Sequence, residues 1–323
     1  MFWWKKVLTD NYYVHCEQCP RKCGVNRLEK QTGFCRETDD LRIAYAGLHF
    51  GEEPLITVSG GSGTIFFTGC TLRCKFCQNY QISQDGFGKT ISQDDFVQIC
   101  RKLQDTGAEN INLVTPSHHI PKIADFISAA KNEGVTVPFC WNSSAYESVE
   151  TLELLKGLVT IWLPDLKTLS SELSAGIFDA QDYPEKATKA IKWMIDNNPL
   201  EIIDSANGKE KMISGVIIRH LYLPGRFAET ADVLDFLKQN ADGKACISLM
   251  NQYTPIPAKK GKIVEFEDRL VNSTEDSDIQ DLIEAYDFDY LFYQELSDDT
   301  SWLPDFKRNQ PFSNKLAKTV WHC

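Results

Sequence analysis

From Thr64 onward, short apolar runs bounded by turn residues alternate with longer segments of helical period. That alternation is the sequence sign of βαβ units and a parallel sheet. The apolar runs predict six strands, at 64–68, 111–114, 137–141, 160–163, 216–223 and 245–250. Helical spacing predicts helices over 93–105, 120–132, 147–156, 185–197 and 229–240. Ser92, with Asp95 three residues on, offers a capping box for the first of these. Six strands are too few to close an eight-stranded barrel, so the expected fold is α/β, an open partial (βα)6 barrel. Residues 1–60 lack a clear hydrophobic period and carry cysteines of their own, which suggests a small metal-pinned N-terminal module. Ser59-Gly60-Gly61-Ser62-Gly63 reads as a flexible junction. The expected division is therefore a cysteine-rich module over 1–60, a core over 61–260 and a C-terminal extension or cap over 261–323, in which 289–294 is a candidate further strand.

Composition narrows the setting. Hydrophobic residues make up 42% and charged residues 24% of the 323 positions, as in an ordinary globular protein and not a disordered one. No apolar run approaches bilayer-spanning length, and the first six residues carry no secretory h-region, so the expected compartment is the cytoplasm. A net charge of -11 opposes general attraction to nucleic acid or to an anionic membrane surface. Between 261 and 300, thirteen carboxylates face only Lys262 and Arg269, most simply a solvated face. Eleven cysteines in a reducing compartment point to metal binding, and seven of them fall in two tight clusters. Cys100, Cys140 and Cys246 sit in apolar surroundings and read as small buried hydrophobes.

The more informative cluster is Gly69-Cys70-Thr71-Leu72-Arg73-Cys74-Lys75-Phe76-Cys77, directly after the first strand of the core. Three thiolates this close can hold three corners of a cubane iron-sulfur cluster, whereas an electron-transfer cluster normally takes four cysteines. One iron is then open to a ligand, the arrangement that turns a bound metal from a staple into a reactant. In a parallel α/β fold the site gathers at the carboxyl ends of the strands, so later site residues are sought after each following strand. Those ends carry Thr115, Ser117, His118 and His119; then Asn142 and Ser144; then Asp165 and Lys167; then Arg219; then Asn251 and Tyr253. Asp165 and Lys167 stand two apart, so a strand would point both to one face and His220 away from Arg219's face.

The Cys-x3-Cys-x-Phe-Cys spacing resembles the motif of the radical S-adenosylmethionine (SAM) enzymes, and the expected barrel is similar to their (βα)6 TIM-like core. Asp165-x-Lys167 and Arg219-x4-Pro224-Gly225 resemble segments of pyruvate formate-lyase-activating enzymes, and the chain as a whole resembles a poorly characterised iron-sulfur branch near them, with Gly51-Glu52-Glu53-Pro54 among the shared residues. The resemblance implies a 4Fe-4S cluster on Cys70, Cys74 and Cys77, with SAM on the open iron. It further implies that Phe76 packs by the adenine and that Lys167, beside Asp165, and Arg219 approach the SAM carboxylate; Asn142 and Ser144 are added on their chemistry, since their polar groups suit a ribose, and Thr115 for its hydroxyl after the second strand. Where the family carries Gly-Gly-Glu for the SAM amino group, this chain has Thr115 and Ser117, and the activases' histidine after the sixth strand is absent. The implied reaction is reductive cleavage of SAM to a 5′-deoxyadenosyl radical that abstracts hydrogen, in the manner of a glycyl-radical-enzyme activase. A radical modification of a small molecule or peptide is the alternative, and a non-enzymatic iron-sulfur carrier or metal-organised interaction module is the rival from another class. Implied partners are a flavodoxin- or ferredoxin-like electron donor and a protein substrate.

Cys16-x2-Cys19-x3-Cys23-x11-Cys35 supplies four thiolates, enough to close a metal completely. Zinc sites usually arrange cysteines as two separated pairs, so this spacing favours an auxiliary iron-sulfur cluster over zinc. Either metal would pin a segment that lacks its own core.

Overall fold

The computed structural model describes residues 11–205, 207–256, 263–294, 296 and 302–323. The first six residues and Lys262 lie outside them. Eleven strands form one sheet: β1 (Arg42–His49), β2 (Ser62–Phe67), β3 (Lys89–Thr90), β4 (Ile111–Val114), β5 (Phe139–Ser143), β6 (Ile161–Pro164), β7 (Glu201–Asp204), β8 (Glu210–Leu221), β9 (Cys246–Met250), β10 (Leu291–Gln294) and β11 (Ala317–His322). Their order is β10-β9-β8-β6-β5-β4-β2-β1-β11, with β3 on β1 and β7 on β8. From β2 to β10 every neighbour along this path is parallel, and the sheet is not closed. All six expected strands lie in this parallel run, and 291–294 adds a seventh.

Local signals explain the helices. Gln93–Asp105 starts where both arms of the capping box form: Ser92 Oγ accepts from Asp95 N at 3.1 Å, and Asp95 accepts from Ser92 N at 2.9 Å. Ile120–Asn132, Tyr183–Asn197 and Phe227–Asn240 match their expected spans within two residues. The expected helix over 147–156 is shorter, an α turn at Val149–Leu152 running into a 3-10 turn at Glu153–Leu155. Helices pack their apolar stripes on one face of the sheet, where Trp141, Trp162, Ile218 and Leu249 are fully buried. The opposite face holds Cys140, Ile161, Leu163, Ile217 and Cys246, stoppered by Leu55 and Ile56 of the short helix Pro54–Thr57.

The N-terminal residues join this sheet through β1, which pairs antiparallel with β2 on one side and with β11 on the other. Its six central residues are all buried, so no polar alternation marks it in sequence. The glycine segment 59–63 is packed, not loose. Ser62 and Gly63 belong to β2, and a methyl group on Gly60 would stand 2.0 Å from the Gly107 carbonyl oxygen. Backbone cannot yield as a side-chain tip can, so Gly60→Ala is expected to cost about 1–3 kcal/mol, read as a lowered urea midpoint at unchanged slope.

Candidate functional site

The loop after β2 carries Cys70, Cys74 and Cys77, the first two buried and the third half-buried. Cys70 Sγ accepts from the backbone N–H of Leu72 at 3.4 Å and of Arg73 at 3.5 Å, and Cys77 Sγ meets Ser83 Oγ at 3.2 Å. The loop is held from outside as well. Lys75 N donates to Ile177 O at 3.2 Å, and Lys75 Nζ pairs with Glu265 at 2.5 Å. Phe76 is buried against Phe178, Tyr253 and Phe266, with ring centroids 5.7–6.2 Å away, an aromatic wall beside the third cysteine.

Burial, with the neighbouring Cys70 thiol, pushes Cys77 up to about 11. Burial pushes Cys74 higher still, and Lys167 acts in the opposite direction. A multiply charged cluster would offset the mutual repulsion of three crowded thiolates. Among the described residues, no group of three or more His, Cys, Asp or Glu side chains converges tightly enough for a single metal ion. A cubane asks for less convergence, because each thiolate takes its own iron. The donor set therefore fits a cluster.

Beside Cys74, a charged network spans the ends of β5, β6 and β8. Lys167 Nζ donates to Asp165 at 2.9 Å, Arg219 Nε donates to Asp165 at 2.8 Å, and Arg219 Nη2 donates to Asn142 Oδ1 at 2.6 Å. Asp165 and Arg219 also face each other across an isolated parallel bridge. Tyr183 fixes the Asp165–Lys167 turn, donating to Asp165 O at 2.7 Å and accepting from Lys167 N at 2.9 Å. Burial would raise the Asp165 carboxyl, but Arg219 and Lys167 outweigh it and hold it below the usual aspartate range. These are no loose surface charges: the three side chains are 15–20% exposed.

Strand alternation places the remaining candidates. His220 faces away from Arg219, its ring bonded to Leu166 O at 2.7 Å and Thr230 Oγ1 at 2.9 Å, a structural role. Thr115 adopts φ 61, unusual for a β-branched residue, and its N–H donates to Asn142 O at 2.8 Å. Ser144 is half-buried after β5, while the N-cap of the following turn falls to Ser148. Ser117 and Ser143 turn instead to Glu147, which is buried and also accepts from Trp141 Nε1 at 2.6 Å. Glu147→Ala would strand three buried donors and is expected to cost about 3 kcal/mol, whereas Glu147→Gln keeps one acceptor oxygen for Ser117 and Trp141, offers its NH2 to the Ser143 hydroxyl as a donor, and loses less; urea melts separate the two. His118 and His119 lie under the surface in the 3-10 turn after β4. Both are buried, burial and Arg27 push His118 down to about 3, and His119 moves the same way. Asn251 bonds Asp276 at 2.6 Å and Tyr253 bonds Asp268 at 2.6 Å, so both are tied to the segment beyond residue 263.

Sequence reasoning missed the acid side of the site. Glu52 Oε2 stands 3.5 Å from Arg219 Nη1, and Glu53 is 3% exposed. Burial pushes Glu53 up to about 7, with Arg219 pulling down. The registers Arg219↔Ser248 and Asn112↔Cys140 put Ser248 and Asn112 on the same inner face as Arg219 and Asn142. Asn112 and Ser248 are fully buried; neither amide atom of Asn112 meets a protein partner in hydrogen-bond geometry, while the Ser248 hydroxyl is turned to the Glu53 carboxylate. The signal was the Glu52-Glu53 pair before Pro54, but no spacing rule connects it to Arg219.

The Radical SAM superfamily model matches residues 64–237, just over half of the chain. Uncharacterized protein MJ0674 of Methanocaldococcus jannaschii is 31% identical over 300 residues, covering 89% of this chain and 80% of that protein. Among solved structures, Streptococcus suis SuiB bound to S-adenosylmethionine gives a TM-score of 0.47 at 19% identity, covering 70% of this chain and 45% of that one. The chain thus spans under half of SuiB's length. A radical SAM methyltransferase from Sphaerobacter thermophilus gives 0.48 at 13% identity, covering 72% and 66%. A domain of pyruvate-formate lyase-activating enzyme from Bacteroides vulgatus gives 0.37 at 12% identity, covering 55% and 91%. With the family model lying across the core and a relative matched over most of both chains, this protein belongs to the radical SAM superfamily, a family of enzymes that work with a 4Fe-4S cluster and SAM.

Proposed function

We propose that this chain is a radical SAM enzyme of the activase-like kind, which generates a 5′-deoxyadenosyl radical and removes hydrogen from a glycine of a protein substrate. When bound, a cluster on Cys70, Cys74 and Cys77 together with SAM supplies one-electron cleavage of SAM to methionine and that radical, the electron coming from a flavodoxin- or ferredoxin-like donor. The observation that carries the reading is the Lys167–Asp165–Arg219–Asn142 network beside Cys74, at the strand ends where a ligand of a parallel sheet sits. Lys167 and Arg219 present cations suited to a carboxylate, and Asp165 keeps both charged and aimed. Phe76 with Tyr253 and Phe266 offers flat apolar surface suited to an adenine. Asn142 and Ser144 supply donors and acceptors suited to a ribose.

Radical modification of a small molecule or peptide is favoured by a different observation. Asn112 is buried with neither amide atom partnered, on the sheet face that also carries Asn142, which suits a compact polar group reaching that face. A plain electron carrier leaves Asp165, Lys167 and Arg219 without a task. The test is anoxic reconstitution with iron and sulfide, then addition of SAM and dithionite. Formation of 5′-deoxyadenosine and methionine is expected, and their persistent absence from cluster-loaded protein would favour the carrier. Deuterium transfer from labelled protein glycine into 5′-deoxyadenosine identifies the activase; transfer only from labelled small metabolites or peptides identifies the alternative.

A further inference from the structure

Four cysteines distant from the Cys70 loop in sequence line one small cavity. Cys16, Cys19, Cys23 and Cys35 surround it, and Thr71 and His118 close its inner side. The surrounding chain is shaped to this cavity. A methyl group on Gly33 would stand 2.6 Å from Cys23 Sγ, and the next residue, Phe34, donates its N–H to that sulfur at 3.4 Å. Arg27, 1% exposed, sends Nη1 to Cys16 Sγ at 3.8 Å and to His118 O at 2.6 Å. His118 and Gln18 also line the cavity; both are at most 2% exposed, His118 reaches the Thr68 backbone, and Gln18 Oε1 meets no hydrogen-bond partner in good geometry. An unpartnered polar atom this deep, beside four thiols, signals an occupant.

We infer that this cage is a second iron-sulfur centre, ligated by Cys16, Cys19, Cys23 and Cys35, that relays electrons to the Cys70 site. Four thiolates leave no open iron, so this centre binds no SAM and is confined to electron transfer. Its position gives the relay a route. Thr71, in the cavity wall, is the residue after Cys70, and His118 Nε2 lies 3.1 Å from where a Gly69 methyl would sit. Arg21 clamps the two units: its guanidinium lies 3.6 Å over the Phe34 ring and donates to Thr71 O at 2.9 Å, to Phe178 O at 2.6 Å and to Asp179 O. The step moves one electron in from a low-potential flavodoxin- or ferredoxin-like carrier and one out to the Cys70 centre, with no bond made or broken. Only the electron's destination rests on the radical SAM reading; the metal content does not.

The test therefore uses a Cys70→Ala/Cys74→Ala/Cys77→Ala variant of the full chain, reconstituted anoxically and checked for native circular dichroism. It is expected to retain about four iron and four sulfide per chain, roughly half the wild-type content, with a reduced EPR signal that SAM leaves unchanged. About one zinc without sulfide, or no metal in the folded variant, would overturn the inference. A Cys19→Ala/Cys23→Ala variant, which leaves the Cys70 loop intact, is expected to lose the same half while keeping a SAM-responsive signal. Retention of full iron by that variant would also overturn it. In fully reduced wild type, neighbouring paramagnets are expected to broaden each other's spectra, and a spectrum equal to the sum of the two variants' signals would contradict the relay.

Discussion

Cys74→Ala is expected to lower 5′-deoxyadenosine formation to the level of a protein-free control while leaving the fold in place. Two thiolates, Cys70 and Cys77, cannot hold the three corners that three do, so the site loses its cluster and with it the chemistry. Cys74 itself is 7% exposed within the main core. Burial, outweighing Lys167, pushes its thiol upward, so without metal it packs as a small neutral side chain. Its removal then costs about 1 kcal/mol of packing, too little to unfold the chain. Iron content, circular dichroism and product formation measured on one preparation separate these effects. Turnover retained by the variant would refute the ligand assignment.

The second large effect is expected from Asp165→Ala. It strips the shared counter-ion from Lys167 and Arg219, whose side chains are 18% and 15% exposed. Breaking a buried pair from one side typically costs about 3–5 kcal/mol, because the partner charges stay behind. Glu52, 3.5 Å from Arg219, softens the loss for one cation and leaves Lys167 alone with its charge. The variant is therefore expected near the lower end of that range by urea denaturation at neutral pH. The pH dependence has a definite sign. Arg219 and Lys167 hold the native Asp165 carboxyl below its ordinary value of 3.8, so its contribution is present above that value and fades as pH falls through the native one. The stability gap between wild type and variant is thus expected to be full at neutral pH and to narrow only below 3.8. A gap that already closes between pH 5 and 7 would show that the ion pairs are not what Asp165 supplies. SAM binding is expected to weaken alongside, since Lys167 and Arg219 lose their orientation.

The parts of the fold legible in sequence are those with local causes. The six core strands announce themselves as apolar runs between turn residues, and the Ser92–Asp95 box sets its helix start to the residue. Alternation along β8 foretells that His220 leaves Arg219's face, whereas Asp165 and Lys167 lie past the end of β6 and meet through their own ion pair. β1 escapes because it is buried on both sides and pairs with β11, some 270 positions later. β8 starts at Glu210, ahead of its expected 216, because its first residues form a half-exposed antiparallel arm with β7 that carries no apolar run. Polar partners escape for a related reason. Glu52 reaches Arg219, Arg27 reaches His118 and Arg21 reaches Thr71 only after the sheet has assembled, and nothing in their spacing encodes that meeting. The three-cysteine motif was readable because its ligands lie within eight residues, so one loop carries the whole donor set.

Low-temperature EPR of the anoxically reconstituted, reduced wild-type chain, recorded with and without SAM, bears most directly on the open coordination position at Cys70, Cys74 and Cys77. SAM is expected to shift the g-values of one signal, a response absent from Cys74→Ala. A spectrum indifferent to SAM, with a fourth protein ligand detected on the same cluster, would contradict it.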